Sequence, residues 1–179
     1  MNNTKKLVES AVVICLSSVL SLVTVFKMPL GGSVTLLSML PLCIISIKYG
    51  IKHGLFTAFI YSLFQLMLDI GPLMSWGLTP YTFIGSILFD YIVAYTVIGF
   101  SGIFKKYNNF GGIILSLTLR FISHVISGTI FFGALAPAGW NPLIYSISYN
   151  GAYMLPEIIF TLTGCFITFK IPQIYKFFK

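Results

Sequence analysis

Apolar residues run through this chain in long blocks, each closed by a short cluster of Lys, Gly, Pro or Asn. A block of about 18 or more apolar residues is long enough to cross a bilayer as an α-helix. The first block covers 7–26, with Glu9 as its one charge. Past Lys27-Met28-Pro29 and the Gly31-Gly32 pair, a second covers 36–47, and a polar turn follows at 48–54. The third, 55–68, leads into a loop holding Gly71, Pro72, Gly77 and Pro80. The fourth, 81–104, stops at Lys105-Lys106 and Asn108-Asn109, and the fifth, 111–132, opens into a Gly/Pro-rich loop at 133–142. The sixth covers 143–169. The pattern predicts a single domain over 1–179: an all-α integral membrane protein, a six-transmembrane-helix bundle. Its second and third spans are short and call for tilt or local bilayer thinning.

Composition removes the alternatives. With 57% apolar and 8% charged residues and a mean hydropathy of +0.95, the chain is neither a soluble globular domain nor a disordered tail nor a secreted disulfide scaffold. Its 11 Lys+Arg against 4 Asp+Glu give a net charge of +7, a balance that also occurs in nucleic-acid-binding proteins. The placement of the charges argues otherwise. With the N-terminus inside, Lys5, Lys6, Lys48, Lys52, Lys105, Lys106, Lys170, Lys176 and Lys179 all fall on the cytoplasmic side, and Lys27 alone falls outside. These lysines read as topological anchors, so both termini are expected in the cytoplasm, the protein in the cell membrane as a multi-pass chain, and nucleic acid is not an expected partner. Lys5-Lys6 before an apolar run could also open a signal peptide, but the run is long and lacks an A-x-A exit. Cys15, Cys43 and Cys165 sit in separate spans without metal-ligand spacing, so they read as packed thiols, and no metal or cofactor is expected.

The candidate chemistry lies in the polar residues left inside the spans, each costly there unless paired or wet. Glu9 and Asp69 fall near span ends and are expected to reach the interface. Counting helical rise from the outer ends, Asp90 lies about 15 Å down the fourth helix, His124 about 13 Å down the fifth and Asn150 about 12 Å down the sixth. Tyr145 and Phe132 lie shallower on the same helices. A carboxylate, an imidazole, an amide and aromatic rings therefore converge on one outward-facing cavity, suited to a small, flat, partly cationic ligand. Arg120 and Glu157, at about 20 and 23 Å, are expected to face each other as a structural ion pair beneath it. Pro156 is expected to kink the sixth helix, and Trp76 and Trp140 read as interface anchors.

These segments resemble the thiamine-specific substrate-binding subunit of the energy-coupling-factor vitamin transporters. Phe89-Asp90-Tyr91 looks like the family's acidic residue–Tyr pair, and RFISHVISGTIFF from Arg120 to Phe132 like its ligand-binding fifth helix. GWNPLIYSISYNGAYMLPE from Gly139 to Glu157 looks like the start of its sixth helix, and GGSVTLLSMLP at Gly31–Pro41 like its first outer loop and second helix. The resemblance covers the whole chain and implies that Asp90, Tyr91, His124, Phe132, Tyr145 and Asn150 bind thiamine. It departs at Asp90, one methylene shorter than the Glu of some members, at Phe132, where others carry Trp, and at 31–37, which lacks the Trp some members place there.

The resemblance also implies partners: a membrane scaffold subunit and two ATPase subunits that power transport while this chain only captures the vitamin. The sequence has no G-x-x-x-x-G-K-[ST] phosphate loop of its own, so no enzymatic role is expected for it. Docking is implied for small residues of the first helix, here Ala11, Cys15 and Ser18, with Cys15 where alanine is usual; small residues four apart let helices approach closely. The alternatives are the same architecture for another vitamin, and an intramembrane enzyme using Asp90, His124, Arg120 and Glu157. Against the enzyme stands the lack of H-E-x-x-H or a Ser/His arrangement at useful spacing.

Overall fold

The computed structural model describes residues 3–29 and 31–172. Lys176 and Lys179, counted above as cytoplasmic anchors, lie outside the described residues. Helix α1 spans Asn3–Leu22, α2 Leu40–Tyr49, α3 Ile51–Ser75, α4 Pro80–Gly102, α5 Asn109–Ile130 and α6 Pro142–Lys170. Among the described residues, α3, α4, α5 and α6 are long and apolar enough to cross a membrane, which makes this an all-α membrane protein.

The starts of the long helices are written in polar residues. Thr79, Asn108 and Asn141 each accept a hydrogen bond from a backbone N–H of the first turn of α4, α5 and α6, and Pro80 and Pro142 take the first helical position, where no N–H is needed. Gly50 alone separates α2 from α3: its φ of +88° is open to glycine and strained for other residues. The expected polar turn at 48–54 is thus one residue, and α3 extends to Ser75, taking in Asp69, Gly71 and Pro72, which the sequence pattern left outside the span.

The outer ends of the first two blocks differ most from expectation. The segment 23–26 is not helical: β1 (Thr24–Lys27) pairs antiparallel with β2 (Ser33–Thr35), with Phe26 opposite Val34. Val23, Thr24 and Val25 are β-branched, and the glycines at 31 and 32 let the chain fold back, so a hairpin wins over another helical turn. Residues 36–39 form a turn with Leu37 at φ +58°, and α2 begins only at Leu40. At ten residues α2 is about 15 Å long, half a bilayer core. It packs inside the bundle instead, with Leu42, Cys43, Ile45 and Ser46 essentially inaccessible.

The lysine-rich ends of the helices lie together, tied by an ion pair from Lys48 to Glu9 (2.6 Å) that Tyr49 also joins. Above them the helices meet along small residues. The Ser46 hydroxyl donates to the Gly99 carbonyl (2.5 Å) and accepts from the Gly102 N–H (3.0 Å), and Ser101 meets Ser116 at 2.8 Å. A Cβ at Gly99 would strike the backbone of Leu55, and one at Gly112 the carbonyl of Ser101. The core cluster around this seam includes Met39, Tyr61, Ile98, Ile113 and Leu117. Apart from Glu9, the polar side chains singled out above fall in the opposite half, below the hairpin.

Candidate functional site

Helix α4 changes pitch where the site begins. From Ile87 to Val93 it widens into a π-helical turn, the kind of local defect that frees backbone groups and re-aims side chains. The Phe89 carbonyl accepts a hydrogen bond from the Ser123 hydroxyl of α5 at 2.6 Å, which pins the turn to its neighbour. Asp90 thereby reaches α5: one carboxylate oxygen lies 2.9 Å from His124 Nδ1, and the other accepts from the Ser127 hydroxyl at 2.6 Å. His124, Ser127 and Arg120 are at spacings of three and four on α5 and share a face.

Arg120 Nε donates to His124 Nε2 at 3.3 Å, which makes Nε2 the acceptor and leaves the ring proton on Nδ1, toward Asp90. A buried cation and a carboxylate are thus linked through a neutral imidazole. The same guanidinium lies 4.4 Å from the centroid of the Tyr95 ring and donates to the sulfur of Met39. The expected Arg120–Glu157 ion pair does not form. Glu157 instead accepts from both the backbone N–H and the hydroxyl of Thr35, each at 2.7 Å, and so fastens strand β2 to α6. Equal depth did not make the two side chains face each other: Arg120 is drawn along its own helix and across to α4, whereas Glu157 points at the hairpin.

Helix α6 supplies the third wall. Asn150 Nδ2 donates to the Ser146 carbonyl (2.9 Å) and reaches the His124 carbonyl (3.4 Å), while its Oδ1 accepts from the Tyr153 hydroxyl (2.7 Å). Tyr153 stands edge-on to His124 with centroids 5.9 Å apart. Tyr145, Tyr149 and Tyr153, four residues apart, form an aromatic ladder at 6.1 and 6.2 Å. Asp90, His124 and Asn150 are therefore brought together, and Tyr145 joins them through Tyr149. Tyr91 turns the other way, toward Tyr95 (6.5 Å) and α3. Phe132 lies beyond the end of α5 and meets Trp76 edge-to-face at 6.4 Å. Ala11 and Cys15 are exposed on α1, and Ser18 is half-buried.

Sequence reasoning missed Ser127, Thr35, Tyr95 and Tyr153. A signal existed for two of them: Ser127 lies three residues from His124, and Tyr153 three from Asn150, one helical turn in each case. Nothing in the spacing announces Thr35, 122 residues from Glu157. A groove of about 480 Å³ lies elsewhere, between α5 and α6 beside Pro156 and Gly151. It is lined by apolar side chains such as Phe121 and Leu155, and none of the polar cluster opens into it.

Residues 7–176 match the family model described as thiamine transporter protein (Thia_YuaJ). This chain belongs to the thiamine transporter protein family. Over 98% of both chains it is 35% identical to the thiamine transporter ThiT of Bacillus subtilis, and over 76% of this chain and 74% of the other it is 25% identical to ThiT of Lacticaseibacillus paracasei. Its fold matches the solved structure of ThiT from Listeria monocytogenes with a TM-score of 0.78, at 25% identity, covering 96% of this chain and 97% of that one. Membership of this transporter family replaces the intramembrane-enzyme alternative.

Proposed function

We propose that this protein is the thiamine-binding membrane subunit of an energy-coupling-factor importer, capturing the vitamin from outside the cell in the space bounded by α4, α5 and α6. The observation that carries the reading is the Asp90–His124–Ser127 cluster, a carboxylate held in place inside an apolar bundle of the thiamine transporter family. Thiamine joins a cationic thiazolium ring to an aminopyrimidine. The first is attracted by a carboxylate and by ring faces, and the second by amide and imidazole groups that donate and accept along one edge. Asp90, Tyr91, His124, Phe132, Tyr145 and Asn150 are the proposed binding residues. Trp76 joins them as the wider stacking surface that Phe132 lacks, since the two rings already meet.

Orientation follows from the lysines. With the lysine-rich end in the cytoplasm of the cell membrane, the hairpin, Trp76 and Phe132 face outward. On this reading α1 and the short α2 complete a six-helix unit with both termini inside. Transport energy then comes from a membrane scaffold and two ATPase subunits, docked along Ala11, Cys15 and Ser18. The test is ligand-dependent thermal stabilisation of the purified protein against a vitamin panel. Thiamine is expected to raise the unfolding temperature, and riboflavin and biotin to leave it unchanged. A response to riboflavin or biotin with none to thiamine overturns the assignment.

A further inference from the structure

The chain has four acidic residues, and three of them are firmly held. Glu9 pairs with Lys48, Asp90 is bridged to Arg120 through His124, and Glu157 is gripped by Thr35. Asp69 differs. It lies six residues inside the end of α3, half-buried, and no cation stands within 4 Å of it among the described residues. Lys27 on the hairpin acts on it only at longer range. A carboxylate at that depth without a countercharge is costly, and such residues mark ligand or ion sites by default.

Its surroundings are built to hold it. Tyr61, Gln65 and Asp69 are four residues apart on one face of α3, with Tyr61 inaccessible and Gln65 7% exposed. The Tyr61 hydroxyl donates to Gln65 Oε1 at 3.0 Å, which fixes the amide so that Nε2 must point at Asp69, to which it donates at 2.9 Å. Across from this ladder stand Tyr95, edge-on to Tyr61 at 5.3 Å, and Tyr91, whose hydroxyl is within electrostatic reach of the Asp69 carboxylate. The two helices run antiparallel and side chains lean toward helix N-termini. Tyr91 therefore leans up and Asp69 down, toward each other, and the Tyr91 hydroxyl feels the charge of both Asp69 and Asp90. One Asp69 oxygen is taken by Gln65, and the carboxylate lies on the side of α4 toward which the proposed binding residue Tyr91 turns.

We propose that Asp69 is a specificity-determining residue of the ligand site, a second fixed negative charge that selects for a cationic ligand and positions the Tyr91 ring. This rests on the thiamine reading above. Attraction between single charges in a partly buried site is strong enough at several ångströms to change affinity about tenfold. The test compares dissociation constants for thiamine and for its neutral thiophene analogue, 3-deazathiamine, in which carbon replaces the charged ring nitrogen. In Asp69→Asn, thiamine binding is expected to weaken about tenfold while the neutral analogue changes less than about twofold. Asp69→Glu is expected to restore part of the preference.

Equal losses for both ligands, or no loss for either, overturn the proposal. Wild-type protein that binds neither ligand overturns the thiamine reading and this proposal with it. Wild-type binding that vanishes only for the cation in Asp69→Asn supports both. Should Asp69→Asn fail to fold, Gln65→Leu carries the test, since it keeps the charge and removes its holder. A reduced preference for the cation then supports the proposal, and an unchanged one overturns it.

Discussion

Asp90 carries two incoming hydrogen bonds, one on each oxygen, and those bonds set what a substitution does. Asn in its place keeps the shape, but only its carbonyl oxygen can accept, so either His124 or Ser127 loses its acceptor and the negative charge is gone. Thiamine affinity is expected to fall at least tenfold, about 1.4 kcal/mol, with the fold intact. Fluorescence titration of Asp90→Asn beside a thermal melt checks both halves; unchanged affinity removes Asp90 from the site. At this scale much was legible. A carboxylate, a histidine and an asparagine in apolar spans had few neighbours able to satisfy them, and helical rise placed them at similar heights. What rise does not supply is azimuth. Arg120 and Glu157 share a depth and still face different partners, because each helix can be turned about its axis without changing any residue's depth.

Among the elements, the helix cores of α3 to α6 were legible from apolar block length and their starts from Thr79, Asn108 and Asn141. The hairpin was not, because Val23–Phe26 is as apolar as the helix before it and only the β-branching and the returning Gly31-Gly32 distinguish it. The short α2 was obscured for a related reason: an apolar block of the right composition can be a buried half-helix as readily as a tilted span. Its consequence is the tight seam in the lysine-rich half, where α2, α3 and α4 meet through Ser46, Gly54, Gly99 and Gly102. The backbone of Leu55 leaves no room for a side chain at Gly99, so Gly99→Val must push α3 and α4 apart. Overpacking of this kind costs about 1–3 kcal/mol. The variant is expected to unfold several degrees lower in detergent, with its residual folded fraction still binding thiamine; a melting temperature equal to wild type would mean that the seam yields.

For the whole molecule, the seam and the site belong to opposite halves, and that division bears on transport. Below Arg120 the helices close on small residues and hydrogen-bonded serines, with no room for a Cβ at Gly99, Gly102 or Gly112. On the proposed function, release on the far side then takes movement against a partner, in keeping with a sequence that holds no phosphate loop. On the proposed function, α1 is the docking surface. Leu7, Val8, Val12, Leu16 and Val19 are exposed on it, with Ala11 and Cys15 between them, small residues four apart of the kind beside which another helix can approach closely. Ala11→Trp adds bulk there from an exposed position, on a helix that supplies none of the proposed binding residues. Thiamine binding by the isolated protein is expected to stay within about twofold of wild type, while uptake by cells carrying the complete importer falls at least about tenfold. The same split is expected for Cys15→Trp. If Ala11→Trp instead lowers binding and uptake together, α1 supports the site and not the partner; if it changes neither, the docking surface lies on another helix.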